Sequence, residues 1–425
     1  MKFTYNPVET DIPNCKMRTG KLSEFYRIPN SVFLTPLLLL YSKSGSVTHL
    51  TREVLEMVAD VPSQAVQVPL SNSVKCCSSI KNFKGGISKF AGLDECLTYC
   101  SVQDPAEETR GGYNEKTSIS IWTNIGRQQL SAEKYMDMME AFKPDMYHSL
   151  CDGDTNKNSS RKRAYKTLNV TGSMFRTCAE RHAQSESLKH SMLLGVVEGG
   201  YELSARRDAA RKMAACPAAQ GYVIDGLHNN GPSVEDISYK TIRPVINETL
   251  KHLPEDKLRI VHGGWRPDVV LDLVNAGVDV FDSSLVYLAV ERGSALTFTY
   301  KVLSTREFNG VPLTNGTHHH KNEKRKAFTE PITVDKTCRK LCRNYEINLN
   351  DKRYFDDFSP ISRDCGCLTC TKHTRAYIHH LLNTKEMLSS VLLMIHNLHH
   401  YLQFFRAIRE HGIKGQLLTI DPPIS

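Results

Sequence analysis

Met192-Leu193-Leu194-Gly195-Val196-Val197 carries no charge over its whole length, and the segments that follow it decide the fold. A strand with water on one face alternates polar and apolar residues, whereas a strand covered on both faces does not. Leu203 to Ala215 then has the period of a helix, with Arg206, Arg207, Arg211 and Lys212 assigned to its polar side. The cycle repeats as Gly221-Tyr222-Val223-Ile224-Asp225, a helix around Ile237 to Leu253, Leu258-Arg259-Ile260-Val261-His262, a helix from Pro267 to Asn275, and Val278-Asp279-Val280-Phe281-Asp282. Parallel strands need crossover helices, so the alternation predicts an α/β fold. Repeated this often, it favours a (β/α)8 TIM-like barrel over an open doubly wound sheet.

Working toward the N-terminus, Leu37-Leu38-Leu39-Leu40-Tyr41 reads as a buried strand that leaves through the turn Ser42-Lys43-Ser44-Gly45-Ser46. Thr48 to Val58 is expected to be helical, Leu97 to Val102 and Ser118 to Trp122 to be strands, and Ala132 to Phe142 to be a helix stopping before Pro144. The 425 residues are expected to form one domain over 1–425, with a barrel body at about 30–302, a polar insertion at 303–345 and a helical subdomain at 346–412, rich in cysteine and histidine, closing the barrel. Between Gly316 and Tyr345 eight lysines and arginines face three acidic residues, which reads first as a solvated loop and second as a contact for a phosphate backbone. Cys338 and Cys342 in this stretch have no partner pair to make a second metal half-site.

The net charge of +8 is a basic bias compatible with a polyanionic partner such as nucleic acid. Thirteen cysteines, an odd number, point to a reducing compartment. Met1 to Pro7 lacks the apolar core of a signal peptide. Val32 to Tyr41, the longest apolar run, is broken by Thr35-Pro36 and falls short of the roughly 20 residues that span a bilayer. A cytoplasmic protein is expected.

Asp364-Cys365-Gly366-Cys367-Leu368-Thr369-Cys370 places three thiols on one tight loop. Cys365 and Cys367 are too close for easy disulfide geometry, so a tetrahedral Zn²⁺ is the expected occupant, with a fourth ligand from elsewhere. His373, His379, His380, His396, His399 and His400 all lie downstream. His373 would close a very small loop, His379 and His380 start a helix leading away, and His396 sits on a later helix able to fold back; spacing alone leaves the choice open. Thr374 to Leu382 is expected as a short helix, and Asn383-Thr384-Lys385-Glu386 has the spacing of a capping box opening another, with Leu388, Val391, Leu392 and Ile395 as its apolar stripe. Gly412 is expected to end the following segment, Tyr401 to His411.

Arg363 to Cys370, Arg375 to Leu382 and His396-Asn397 together resemble the zinc region of the tRNA-guanine transglycosylases, the queuine tRNA-ribosyltransferase family. Arg266-Pro267-Asp268, Gly277 to Asp282 and Thr35-Pro36 resemble the same family's barrel segments, so the likeness runs from about Thr35 to Arg409. The resemblance implies that His396 is the fourth ligand and that one structural zinc per subunit is held by Cys365, Cys367, Cys370 and His396. It implies a reaction too, the exchange of guanine for queuine at wobble position 34 of tRNAs with GUN anticodons (Asp, Asn, His, Tyr). An aspartate nucleophile and a second, proton-handling aspartate at the barrel mouth carry that chemistry.

The nucleophile position falls on Asp282, but Ser283 to Tyr287 replaces the family's Cys-x-x-Pro-Thr-Arg. The Asp-Ser-Gly-Gly motif is absent, and Tyr99-Cys100-Ser101-Val102-Gln103-Asp104-Pro105 stands in its place. The base-recognising aspartate falls on Cys151, with Asp152 a shifted substitute, the glutamine pair on Val197-Glu198, and the glycine-rich base loop on Asp225 to Gly231. A pocket built to hydrogen-bond a purine loses heavily when several partners go at once. The expectation is therefore no catalytic residue: a non-catalytic subunit that pairs with a catalytic transglycosylase, helps to bind tRNA, and could self-associate in isolation. The resemblance also allows a link to the mitochondrial outer surface. The alternatives are a self-sufficient transglycosylase using Asp282 as nucleophile, and a zinc-stabilised RNA-binding scaffold unrelated to queuosine.

Overall fold

The computed structural model describes residues 1–59, 64–123, 125–303 and 345–421. Eight parallel strands, numbered β1 to β8 in chain order, run as Leu37–Lys43, Ala65–Pro69, Leu97–Ser101, Met146–His148, Met192–Val197, Gly221–Ile224, Leu258–Ile260 and Val280–Asp282. Each pairs with the next, and β8 returns to β1 with Val280 opposite Leu37 and Asp282 opposite Leu39. The sheet is thus closed, as the strand and helix alternation predicts. Closure decides which side chains share a surface, because alternate residues of a strand point to opposite faces. Leu37, Leu39, Tyr99, Met192, Leu194, Val223 and Ile260 fill the interior, while Leu38, Leu40, Leu193, Val197 and Ile224 pack outward under the helices.

An antiparallel sheet of Lys2–Pro7, Arg18–Ser23 and Phe33–Thr35 precedes the barrel, and Leu22, Phe25, Ile28 and Phe33 join the interior cluster as a plug. Buried Arg18 fixes this sheet by donating from Nε to Asp279 at 2.7 Å, and Asp279 also accepts the Arg259 amide at 2.7 Å. After β8 the chain forms a helix over Ser284–Glu291 and a strand over Ser294–Leu296, which pairs with Glu346–Asn348. Among the described residues three α-helices follow, Leu368–Lys372, Arg375–Asn383 and the 26-residue Met387–Gly412, before a strand over Leu418–Ile420 that pairs with Tyr300–Val302. The helix Met387–Gly412 lies along the barrel wall, its Phe405 ring at 60° and 5.7 Å from Phe281 and its Arg409 donating to the Pro36 carbonyl at 2.8 Å.

Several segments differ from the sequence reading. The helix expected over Thr48 to Val58 is confined to Arg52–Glu56, capped by Thr51. Ser118–Thr123 is a strand, but it pairs with Gly126–Ser131 in a hairpin outside the barrel. The expected capping box does not form: Asn383 closes the preceding helix, Lys385 adopts a left-handed φ of 57°, and the Glu386 amide donates back to Leu381. Leu388 is consequently exposed, and the buried stripe runs through Leu392, Ile395, Leu398, Tyr401, Phe405 and Ile408 of one uninterrupted helix. Arg206, assigned to a polar face, is fully buried. Cys338, Cys342 and the basic stretch between Gly316 and Asn344 lie outside the described residues.

Candidate functional site

The Cys365, Cys367 and Cys370 sulfurs and His396 Nδ1 converge with all four atoms within 4.8 Å of one another. Nδ1 stands 3.7 Å from Cys365, 3.7 Å from Cys367 and 3.2 Å from Cys370. Zinc bonds of about 2.3 Å to sulfur and 2.0 Å to nitrogen at a tetrahedral angle would set that separation near 3.5 Å. The imidazole is aimed by its other nitrogen, since Nε2–H donates to the Leu296 carbonyl at 2.9 Å and leaves the Nδ1 lone pair facing the sulfurs. Asn397, the next residue, completes the clamp: its Oδ1 accepts the Leu296 amide at 2.8 Å and its Nδ2 donates to Ser294 at 2.9 Å. Cys367 caps the helix Leu368–Lys372, with its sulfur accepting the Cys370 amide. Hydrogen bonds from Cys367 and Cys370 hold the Cys365 thiol well below the usual thiol range. The set fits a zinc-type metal with no open position. Two other candidate histidines are committed elsewhere, His379 to the Leu349 carbonyl and His400 to that of Phe298.

At the C-terminal ends of the barrel strands, the carboxylates at the mouth are tied to neighbouring backbone and side chains. Asp282 is 3 % exposed, and both carboxylate oxygens are engaged. Oδ2 accepts the Gly263 amide at 2.7 Å, and Oδ1 accepts the amide and hydroxyl of Ser284 at the start of the following helix. Asp104, at the end of the segment that replaces Asp-Ser-Gly-Gly, is also buried. It accepts Tyr41 at 2.8 Å and Asn72 at 2.7 Å on Oδ2, and the Ala106 amide at 2.8 Å on Oδ1. Burial pushes both carboxyls above the ordinary range, against these hydrogen bonds. Each works as a backbone cap, and Tyr41 with Tyr287 fills the space beside them at a ring separation of 5.1 Å.

The base-reading positions are likewise occupied. Asp152 receives both Arg163 terminal nitrogens, at 2.8 and 2.5 Å, and Asn114 at 2.8 Å, so its charge is spent inside the wall. Arg206 donates to the carbonyls of Gly200, Val197 and Asp225 beneath the mouth. His148 accepts the Val102 amide at 3.2 Å and donates to the Ser149 carbonyl at 2.8 Å, while His262 meets the Tyr99 hydroxyl at 2.9 Å. The cleft between His148, Cys151, Asp225, His228 and His262 measures about 40 Å³. Small-molecule pockets run to roughly 300–1,000 Å³. A few waters fit here and a purine does not. Sequence reasoning missed Tyr41, Asn72 and Arg163, whose parts depend on contacts far along the chain and leave no local signal.

The sequence model of the queuine tRNA-ribosyltransferase family matches residues 14–420. A protein of Anopheles gambiae named queuine tRNA-ribosyltransferase accessory subunit 2 is 38 % identical over 419 residues, covering 98 % of this chain and 88 % of its own length. Proteins of the same name from Homo sapiens and Danio rerio are 37 % and 38 % identical, each alignment covering 92 % of both chains. The match over nearly the whole length, with the Cys3His cluster and the closed barrel, carries the conclusion: this chain belongs to the queuine tRNA-ribosyltransferase family.

Proposed function

We propose that the chain is the non-catalytic accessory subunit of a heterodimeric queuine tRNA-ribosyltransferase, supporting its catalytic partner in exchanging guanine for queuine at position 34 of tRNAs with GUN anticodons. The observation that carries this reading is Asp282. A nucleophile needs a free carboxylate facing a substrate cavity, and this one is saturated by Gly263 and Ser284, while the cleft at the base-reading positions measures about 40 Å³ and is not lined by it. The names of the relatives point the same way.

Cys365, Cys367, Cys370 and His396 are proposed to hold one structural Zn²⁺, the reading to which thiolate and imidazole donors at tetrahedral spacing lend support. Around this centre lie exposed apolar side chains on elements that pack against one another: Phe355, Phe358, Leu368, Tyr377, Met387 and Leu388. Phe355, Phe358 and Met387 are 76, 76 and 86 % exposed. Apolar surface left bare in this way marks an interaction face. We assign it to the catalytic subunit, with self-association of this chain as the outcome when that subunit is absent. The second barrel would then help to hold the tRNA polyanion, and the single-domain division into body, insertion and zinc subdomain belongs to the same proposal. We place the protein in the cytoplasm. No described helix is long and apolar enough to cross a membrane, so any contact with the mitochondrial outer surface would be peripheral.

The test is incorporation of labelled guanine into tRNA. The purified chain should give none alone and should raise or restore activity when mixed with the catalytic subunit. Robust exchange by the isolated chain would overturn the proposal in favour of the self-sufficient reading. Strong, salt-sensitive tRNA binding without capture of the catalytic subunit would favour the scaffold reading.

A further inference from the structure

Cys151, Glu198 and Asp225, which follow β4, β5 and β6, are three of the departures at the base-reading positions, and they meet at one point. Cys151 Sγ and one carboxylate oxygen from each acid lie within 4.8 Å of one another. Cys151 is 6 % exposed and Glu198 1 % exposed. Cys151 donates its thiol hydrogen to Asp225 Oδ2 at 3.7 Å. Neither oxygen of Glu198 has a hydrogen-bond partner. A carboxylate taken out of water without a partner costs several kcal/mol, so this arrangement calls for an occupant.

The neighbouring cations do not supply one. Arg206 spends its donors on three backbone carbonyls, and Arg163 grips Asp152 and reaches Asp154 at 3.3 Å. The backbone is bare where the carboxylates converge. A Cβ at Gly226 would stand 2.2 Å from Glu198 Oε2, and one at Gly153 would stand 2.7 Å from Asp225 Oδ2. Gly226 also has a φ of 73°, which favours glycine.

We propose that the mouth of the barrel binds a second divalent metal ion of the zinc class, through the thiolate of Cys151 and the carboxylates of Glu198 and Asp225. One sulfur and two oxygens suit a borderline ion. Tetrahedral bonds of about 2.3 Å to sulfur and 2.1 Å to oxygen place those atoms about 3.6 Å apart, close to the 3.7 Å between Cys151 and Asp225. The small cleft lined by Cys151, Gly153 and Asp225 gives the ion its way in and leaves room for a water as fourth ligand. The ion displaces the thiol proton of Cys151 and the proton of the Glu198 carboxyl, and both leave to solvent. The ion ties together the ends of three adjacent strands.

The experiment uses the full chain with its Cys3His site first filled with Zn²⁺, then titrated with Co²⁺ as the probe while bound zinc is counted to exclude displacement. The expected result is a second metal equivalent with thiolate-to-cobalt charge-transfer absorption. Cys151→Ser should abolish that absorption, and Glu198→Gln should weaken the second equivalent more than about 100-fold, beyond the effect of losing an outer-shell contact. Wild-type chain that takes up no second equivalent, or takes one up without thiolate absorption, overturns the proposal without recourse to any variant. So does a folded Cys151→Ser chain with the wild-type spectrum.

Discussion

Asn397→Ala tests how the zinc subdomain is fastened to the barrel. The side chain is fully buried and acts as a stretch of backbone, accepting from the Leu296 amide and donating to the Ser294 carbonyl. Alanine leaves both groups unpaired inside the protein, at about 1–3 kcal/mol each, so the expected loss is roughly 4 kcal/mol. With an unfolding entropy of about 2.1 cal/mol/K per residue, a chain of this length changes by about 0.9 kcal/mol for each degree, which converts the loss to about 4–5 °C in Tm. The assay is thermal unfolding followed by calorimetry, with metal release read by a chromophoric chelator in the same ramp. Metal should leave the variant earlier, because His396 is aimed by the same strand through Leu296. Leu388→Ala on the exposed side of that helix is the control and should stay within about 0.5 kcal/mol. A shift below about 1 °C for Asn397→Ala, with unchanged metal release, would refute the clamp.

Cys367→Ser should leave the chain short of its structural zinc, and chelation of the wild-type metal should speed amide exchange along Met387–Gly412; unchanged zinc content would contradict the ligand assignment. Phe355→Asp combined with Met387→Glu should abolish pairing with the catalytic subunit while shifting Tm by no more than a degree or two, since both side chains face solvent; intact pairing in ultracentrifugation would relocate the interface. His148 gives a pH dependence. Burial holds its imidazole below the usual value of about 6.5, so the unfolded chain takes up a proton that the folded one refuses. That contribution is whole above pH 6.5 and is lost as pH falls. His148→Asn should therefore flatten the slope of stability between pH 6 and 5 by up to about 1.4 kcal/mol per unit, and an unchanged slope would show that the site titrates normally.

The half of the barrel from β5 to β8 was legible because its strands are unbroken apolar runs with helices of clear period between them. The other half was harder for physical reasons. β2 contains Gln67, whose amide is buried against Ser101 at 3.0 Å, and β4 is three residues long, so neither offers a pattern to read. The 24-residue helix Arg161–Gln184 buries Ala164, Leu168, Thr171, Phe175 and Cys178 at helical spacing, but threonines and Gly172 dilute the stripe. Arg206 was assigned to solvent by period, whereas its donors satisfy carbonyls at the turns after β5 and β6, a tertiary requirement with no local trace. Spacing identified the three cysteines, and resemblance alone singled out His396 among six histidines, because the pairing with Leu296 spans a hundred residues. The proposal that Asp282 is not a nucleophile rests, in the sequence, on its missing neighbours. Its role as a cap for Gly263 and Ser284 became visible only with the fold.

The most direct measurement of the central claim is the rate of guanine exchange by the reconstituted complex carrying Asp282→Ala in this chain, normalised to assembled heterodimer. A carboxylate that only caps backbone predicts a rate within about twofold of wild type, whereas a fall of 100-fold or more, equivalent to about 2.7 kcal/mol of lost transition-state stabilisation, would mean that this barrel performs the chemistry.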